Sequence, residues 1–325
     1  MNEGVFKDYP WLRPIDDAFR GIQPSGLKVI CPECNSRGLL ITKWIKGPPI
    51  KPAFVMHKKG TLITGVCELT GQALLTAKSQ VSLRDSDINK LLTNRRCFLL
   101  FSGGKDSLAT AYHLKTLLHE NIKDLTAIYV DTTVGLPDNI RYVRKISKYL
   151  GIKLEIVRPK TDYFTLAKEW GIPSHGYRWC CRELKIKPIQ EYLRTITEKY
   201  VIFDGIRAME SSLRSSYIPI WYHPGFRCLS ASPIFNWTDE KVYAEIYSNG
   251  IPKGLISQMN SSAECWCGAY KSESDFRRLY DLDPAFFKKL ANLESSSQRG
   301  YTYLYSKGKK KSLFELETEI RKQKT

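Results

Sequence analysis

The chain has 325 residues, 42% of them hydrophobic and 26% charged, which suits one large core domain plus a smaller one and excludes a disordered chain. No apolar stretch is long enough to span a membrane, and the polar start MNEGVFKDYP does not read as a signal peptide; a cytoplasmic protein with reduced cysteines is expected. The net charge of +17 favours a polyanionic partner or anionic substrates, with general solubility as the plainer alternative.

Residues 1–26, with Pro10, Trp11, Pro14 and Pro24, read as an irregular arm. Residues 27–72 read as a small module of short strands and turns around the knuckle Cys31-Pro32-Glu33-Cys34. A module of this size lacks a core of its own, and a metal would supply the missing stability. Cys31 and Cys34 put two thiolates within reach of one ion, and Cys67 and His57 complete a Cys₃His zinc set. Packing or surface roles for Cys67 and His57, and a redox role for the Cys-x-x-Cys pair, are the alternatives. Residues 73–94 read as a linker.

From about 95 to 250 strand and helix patterns alternate, which predicts a doubly wound α/β domain, taken as residues 95–270, with a parallel sheet covered on both faces. The apolar run Cys97–Phe101 predicts a buried strand, and Leu108 to Glu120 a helix. Between them lies Ser102-Gly103-Gly104-Lys105-Asp106-Ser107. Strand, glycine turn and helix together form an anion site: glycines let the backbone come close, and the first helical N–H groups have no partner within the helix. Ser102 and Ser107 add hydroxyls, and Lys105 adds a charge. Asp106 is repulsive to phosphate unless it braces the loop or holds Mg²⁺. A tight turn without a ligand is the plain alternative.

The pattern continues with a strand at Leu125–Val130 ending at Asp131, a helix at Asn139–Leu150, a strand at Lys153–Val157 and a short helix at Asp162–Trp170. Arg182–Lys199 reads as a helix interrupted near Pro188. A strand at Tyr200–Gly205 and a helix at Thr238–Ser248 follow. Ligands of such sheets sit outside the carboxyl ends of the strands, where Ser102–Ser107 and Asp131 fall.

Residues 271–325 read as a helical, basic region with Phe276, Leu279, Tyr280, Phe286, Phe287 and Leu290 as a core stripe. Basic residues cluster in three places: Arg141, Arg144, Lys145 and Lys148; Arg178, Arg182, Lys185 and Lys187; and Lys307, Lys309, Lys310 and Lys311. The last run, with Tyr301, Tyr303 and Tyr305 before it, suits contact with a phosphate backbone or a plain solvated loop. Cys180-Cys181 and Cys265-Trp266-Cys267 place four thiols in two tight pairs, which suits an iron–sulfur cluster, zinc or a redox-active dithiol. Arg178, Arg182 and Lys185 nearby favour thiolates. Cys97 and Cys228 read as structural.

Five ordered segments resemble one family. Ser102–Ser107 resembles the SGGxDS loop of PP-loop enzymes. Asp131-Thr132-Thr133 with Leu136-Pro137-Asp138, Trp179–Lys185 with Pro188, Gly205–Ser211 with Arg214, and Pro233–Thr238 with Val242 and Ile251-Pro252 resemble segments of phosphoadenosine phosphosulfate (PAPS) reductases. The chain is identified as similar to the PAPS reductase/ATP-pyrophosphatase superfamily, with the adenine nucleotide alpha-hydrolase-like fold. The resemblance implies an adenine nucleotide, ATP with Mg²⁺, above the sheet. It implies phosphate contacts at Ser102, Gly103, Gly104, Asp106 and Ser107, nucleotide contacts at Asp131 and Gly205, and oxyanion pairing at Arg207 and Arg214. Adenylylsulfate reductases carry a [4Fe-4S] cluster on a similar cysteine pattern, which implies Cys180, Cys181, Cys265 and Cys267 as ligands.

The reductases use a nucleophilic cysteine in a C-terminal segment, whereas here no cysteine follows Cys267. The expectation is therefore an ATP pyrophosphatase that adenylates a nucleic acid, tRNA or DNA, for sulfur transfer. Lys105, Asp106, Cys180 and Cys181 would be its catalytic residues, and a sulfur donor protein a possible partner. Reduction of adenylylsulfate or PAPS to sulfite, and a non-catalytic nucleotide-sensing or nucleic-acid-binding adaptor, are the alternatives.

Overall fold

In a computed structural model of the chain, described residues are 28–30, 37–42, 53–57 and 85–324, except 93–94, 119–123, 175, 212–213, 215–216, 218, 224, 251–263, 298–301 and 307–308. The fold is a parallel five-strand sheet with helices, as the alternating pattern predicts. The chain divides into two compact units.

The first unit comprises residues 1–98, 116–119 and 198–241. Strands β1 (Lys28–Ile30), β2 (Arg37–Thr42) and β3 (Ala53–His57) form an antiparallel meander. Helix α1 (Asp85–Leu92) and the first half of β4 (Arg96–Leu100) follow. The Arg96 amide bonds to the Lys199 carbonyl, next to β7 (Tyr200–Phe203). β8 (Ile220–His223) runs antiparallel to β9 (Cys228–Ala231), and β9 runs parallel to β7. Cys97 and Cys228 are buried, consistent with structural roles.

The second unit comprises residues 99–115, 120–197 and 242–325. The end of β4 leads into α2 (Lys105–Leu118), followed by β5 (Leu125–Val130), α3 (Pro137–Leu150), β6 (Lys153–Val157) and α4 (Tyr163–Trp170). β5 is buried along its whole length and pairs in parallel with β6. α3 starts with Pro137 in its first turn and ends at Gly151 with φ 73°. Its buried face is Asn139, Val143, Ile146, Ser147 and Leu150, which leaves Arg141, Arg144, Lys145 and Lys148 outside.

The expected interrupted helix is a π-helical stretch, Cys181–Ile186, running into α5 (Lys187–Leu193). Pro188 does not break it: the backbone stays helical through the join, with the Lys187 amide bonded to the Arg182 carbonyl five residues back. α6 (Asp239–Ser248) has its Val242–Ser248 part in this unit. Helices α7 (Glu273–Leu282), α8 (Pro284–Ser296) and α9 (Leu313–Lys324) are capped by Ser272, Asp283 and the Ser312–Glu315 pair. They share one core with Tyr163, Trp179, Leu184 and Trp266.

The lysine run is not a solvated loop throughout. β10 (Leu304–Ser306) pairs with β11 (Lys309–Lys311), and Lys311 binds Glu273 at 3.1 Å and Glu319 at 2.6 Å. Tyr303 is buried, and its amide donates to the Glu294 carboxylate.

Candidate active site

The loop after β4 is built to be held still. Gly103 has φ 78°, and a Cβ there would lie 2.8 Å from Val143 Cγ2, so only glycine fits against α3. The Gly104 amide donates to Ser102 Oγ at 3.2 Å, and Ser107 Oγ donates to the Gly104 carbonyl at 2.9 Å. Asn139 on α3 donates through Nδ2 to the Ser102 carbonyl at 3.2 Å and to Tyr129 Oη at 3.0 Å. Its own Oδ1 is buried without a hydrogen-bond partner. Lys105 and Asp106 open α2 and pair with each other at 2.9 Å.

At the end of β5, Asp131 accepts from the Thr133 amide at 3.0 Å and from Arg158 Nε at 2.8 Å. Thr133 has φ 63°, a left-handed conformation that β-branched residues rarely adopt. Two bonds hold it: Thr133 Oγ1 donates to the Thr132 carbonyl and accepts from the Tyr163 amide at 2.7 Å. The neighbouring residues bond to the cysteine segment. Thr132 Oγ1 donates to the Glu264 carbonyl, and the Trp266 amide donates to the Val134 carbonyl, both at 2.8 Å.

Cys180 and Cys267 face each other, the Cys180 thiol donating to Cys267 Sγ at 3.3 Å. Hydrogen bonds from the Cys180 and Cys265 thiols hold Cys267 well below the ordinary thiol pKa, while Cys180 and Cys265 as donors are raised. Cys181 is pulled down to about 7 by its bond to Cys180, with the Lys185 and Arg178 charges assisting. Burial alone would discharge Lys185, but Glu264 at 3.2 Å outweighs it and raises its pKa. Lys271 lies 4.2 Å above the Trp266 ring, and burial pulls its pKa down to about 8. Behind the thiols, Tyr163 Oη lies 3.2 Å from the Cys267 carbonyl and 2.9 Å from Tyr303 Oη.

Thus the structure brings together the Cys180–Cys181 and Cys265–Cys267 pairs, and it joins the Asp131 segment to them. Among the described residues, no group of three or more His, Cys, Asp or Glu is arranged so that it could hold a metal ion. In the first unit, Arg207 is buried and donates to the Trp237 carbonyl at 3.1 Å and to Asp239 at 2.7 Å. Arg214 pairs with Glu210. Gly205 follows Asp204, whose buried carboxylate accepts from Ser232 Oγ at 2.6 Å. Cys31, Cys34, Cys67 and the side chain of His57 lie outside the described residues. Tyr163 and Glu264 escaped the sequence reading, whereas Thr133 stood in the Asp131 segment and Lys185 beside the paired cysteines.

The Phosphoadenosine phosphosulfate reductase domain matches residues 96–262. The chain belongs to that family. It is 32% identical over 192 residues to the uncharacterized protein MJ0973 of Methanocaldococcus jannaschii, which covers 58% of this chain and 45% of that protein. It is 25% identical over 176 residues to a phosphoadenosine 5'-phosphosulfate reductase of Xanthomonas campestris, covering 52% of this chain and 66% of the reductase. The chain spans about half the length, or less, of the first curated relatives it matches. Among solved structures, the PAPS reductase of Candida auris in its phosphate complex aligns with TM-score 0.45 at 18% identity, over 59% of this chain and 93% of that one. The U34-tRNA thiolase NcsA of Methanococcus maripaludis, with its [4Fe-4S] cluster, aligns with TM-score 0.38 at 16% identity, over 78% and 76%.

Proposed function

We propose that this chain is a PP-loop ATP pyrophosphatase that adenylates an oxygen on a nucleic acid, tRNA or DNA, and exchanges it for sulfur. One observation carries the reading. The residues after Asp131 are hydrogen-bonded to the residues around Cys265 and Cys267, within the unit that also holds Ser102–Ser107. On this reading, phosphate chemistry and sulfur chemistry fall within one unit.

In the proposed reaction, the acceptor oxygen attacks the α-phosphorus of ATP, and the bond to pyrophosphate breaks. A sulfur nucleophile from a donor protein then attacks the activated carbon, and AMP leaves with the oxygen. Ser102, Gly103, Gly104 and Ser107 hold the phosphates, Lys105 offsets developing charge, and Asp106 holds Mg²⁺ or braces the loop. Asp131, Gly205, Arg207 and Arg214 are assigned to the nucleotide side. For Arg207 and Arg214 this requires exchange of their present carboxylate partners.

The donor set suits an iron–sulfur centre: four soft thiols in two pairs, with Lys185 nearby to favour thiolates. Cys180, Cys181, Cys265 and Cys267 would hold it, and it would supply a site for binding sulfur. The N-terminal cysteines with His57 are assigned to zinc, and residues 27–72 to a separate module that positions the polyanion. Domain limits at 73–94, 95–270 and 271–325 belong to the same proposal.

Pyrophosphate release tests the reading: ATP is added with and without RNA or DNA, and release stimulated by one of them is expected. Absence of release with every nucleic acid overturns it. Family membership favours a second reading, reduction of adenylylsulfate or PAPS, for which sulfite would form with a thiol donor.

A further inference from the structure

Among the exposed large hydrophobic side chains of the second unit, three tyrosines lie along α3 and α6: Tyr149 is 50% exposed, Tyr243 41% and Tyr247 57%. Half-exposed rings grouped on one face mark a docking surface. Tyr243 and Tyr247, one turn apart on α6, are stacked with centroids 5.8 Å apart and planes 13° apart. Lys105 of the glycine loop lies over the Tyr243 ring at 5.8 Å. At the other end, Tyr149 Oη donates to the Asn249 carbonyl just beyond α6. Tyr149 closes a row on α3, with Arg141, Lys145 and Tyr149 four residues apart on one face, and Lys148 and Arg144 beside it. Arg141 in that row pairs with Asp138.

We infer that this surface binds a single strand of nucleic acid, its unpaired bases stacked on Tyr243 and Tyr247 and its phosphates along the basic row of α3, so that the strand leads towards Lys105. Both halves of the surface match that ligand. Base stacking on aromatic rings tolerates any sequence, and a cationic track follows the backbone. A duplex fits poorly, because its bases are already stacked on each other. The inference rests on the proposed nucleic-acid substrate and specifies how that substrate approaches the loop.

The test is fluorescence anisotropy of the full chain with labelled single-stranded RNA, single-stranded DNA and the matching duplexes, without ATP. Binding tighter to a single strand than to its duplex is expected, and the RNA and DNA arms identify the sugar. Tyr247→Ala and Tyr243→Ala should each weaken binding roughly tenfold, whereas Tyr247→Phe should retain it. Lys145→Glu should weaken binding at low salt and flatten its salt dependence. Equal binding by the alanine variants, or a preference for duplex, overturns the inference. So does concentration-dependent self-association that the alanine variants lose, because a second copy would then cover the rings. The assay contains no triphosphate. Strand binding without pyrophosphate release would therefore sink the sulfur-transfer reading alone.

Discussion

The Cys180 thiol donates to the Cys267 sulfur across 3.3 Å, although 87 residues separate them in the chain. Two sulfurs bound to one tetrahedral zinc at about 2.3 Å would stand about 3.8 Å apart, so the observed distance is that of a thiol–thiolate hydrogen bond. A single metal ion would spread the pair slightly, and an iron–sulfur cluster, in which each thiolate binds a different iron, would spread it further; either would remove the shared proton. Anaerobic incubation with iron and sulfide is expected to give a broad absorption band near roughly 400 nm. Cys180→Ser and Cys267→Ser should lose it, whereas Cys97→Ser, at a buried cysteine in the first unit, should retain it. A colourless protein that takes up only zinc would refute the iron–sulfur assignment.

Gly103→Ala tests the loop. The substitution forces an alanine to φ 78° and drives its Cβ to 2.8 Å from Val143 Cγ2. The left-handed conformation costs about 1–2 kcal/mol and the clash adds a similar amount, so a loss of roughly 2–4 kcal/mol is expected in denaturant unfolding. In a Val143→Ala background the clash is relieved and only the conformational part should remain. A full penalty in both backgrounds would show that Val143 is not the obstacle.

Lys105→Ala removes the charge that pairs with Asp106 at 2.9 Å. Loss of a charge-assisted bond to phosphate is worth about 1.5–3 kcal/mol, so ATP affinity should fall roughly 10- to 150-fold in calorimetric titration. Asp106→Asn should instead leave ATP binding without Mg²⁺ nearly intact and weaken the Mg²⁺ enhancement. Identical losses with and without Mg²⁺ would make Asp106 a loop brace.

Much of the fold was legible because the signals were local. Leu125–Val130 is apolar at nearly every position and is buried at every position. The glycine pair after Cys97–Phe101 marked the loop. What could not be read depended on partners far away in the chain. Arg207 resembles an oxyanion ligand, but its guanidinium meets Trp237 and Asp239, 30 and 32 residues on. Lys309–Lys311 lacks any strand pattern, and forms one through the ladder to Leu304–Ser306 and through Glu273 and Glu319 beside Lys311. The thiol pairs were visible in the sequence, but not that Cys267 would be the acceptor and Cys180 the donor.

His223 makes stability depend on pH through the first unit. Its ring stacks on Phe226 with centroids 3.9 Å apart, and Nδ1 accepts from the Phe226 amide at 3.1 Å. Burial disfavours the imidazolium and lowers the pKa from 6.5 to about 4. The unfolded chain therefore takes up this proton first as pH falls. The neutral ring's contribution is complete above about pH 6.5 and declines as pH falls towards about 4. The shift sets an upper limit of about 3 kcal/mol, and partial exposure of the ring lowers it. Wild-type protein should lose unfolding free energy between about pH 6.5 and 4 more steeply than His223→Phe, which keeps the stack but has no proton to gain. Parallel pH profiles for the two proteins would mean that the imidazole is solvated well enough to titrate normally in the folded state.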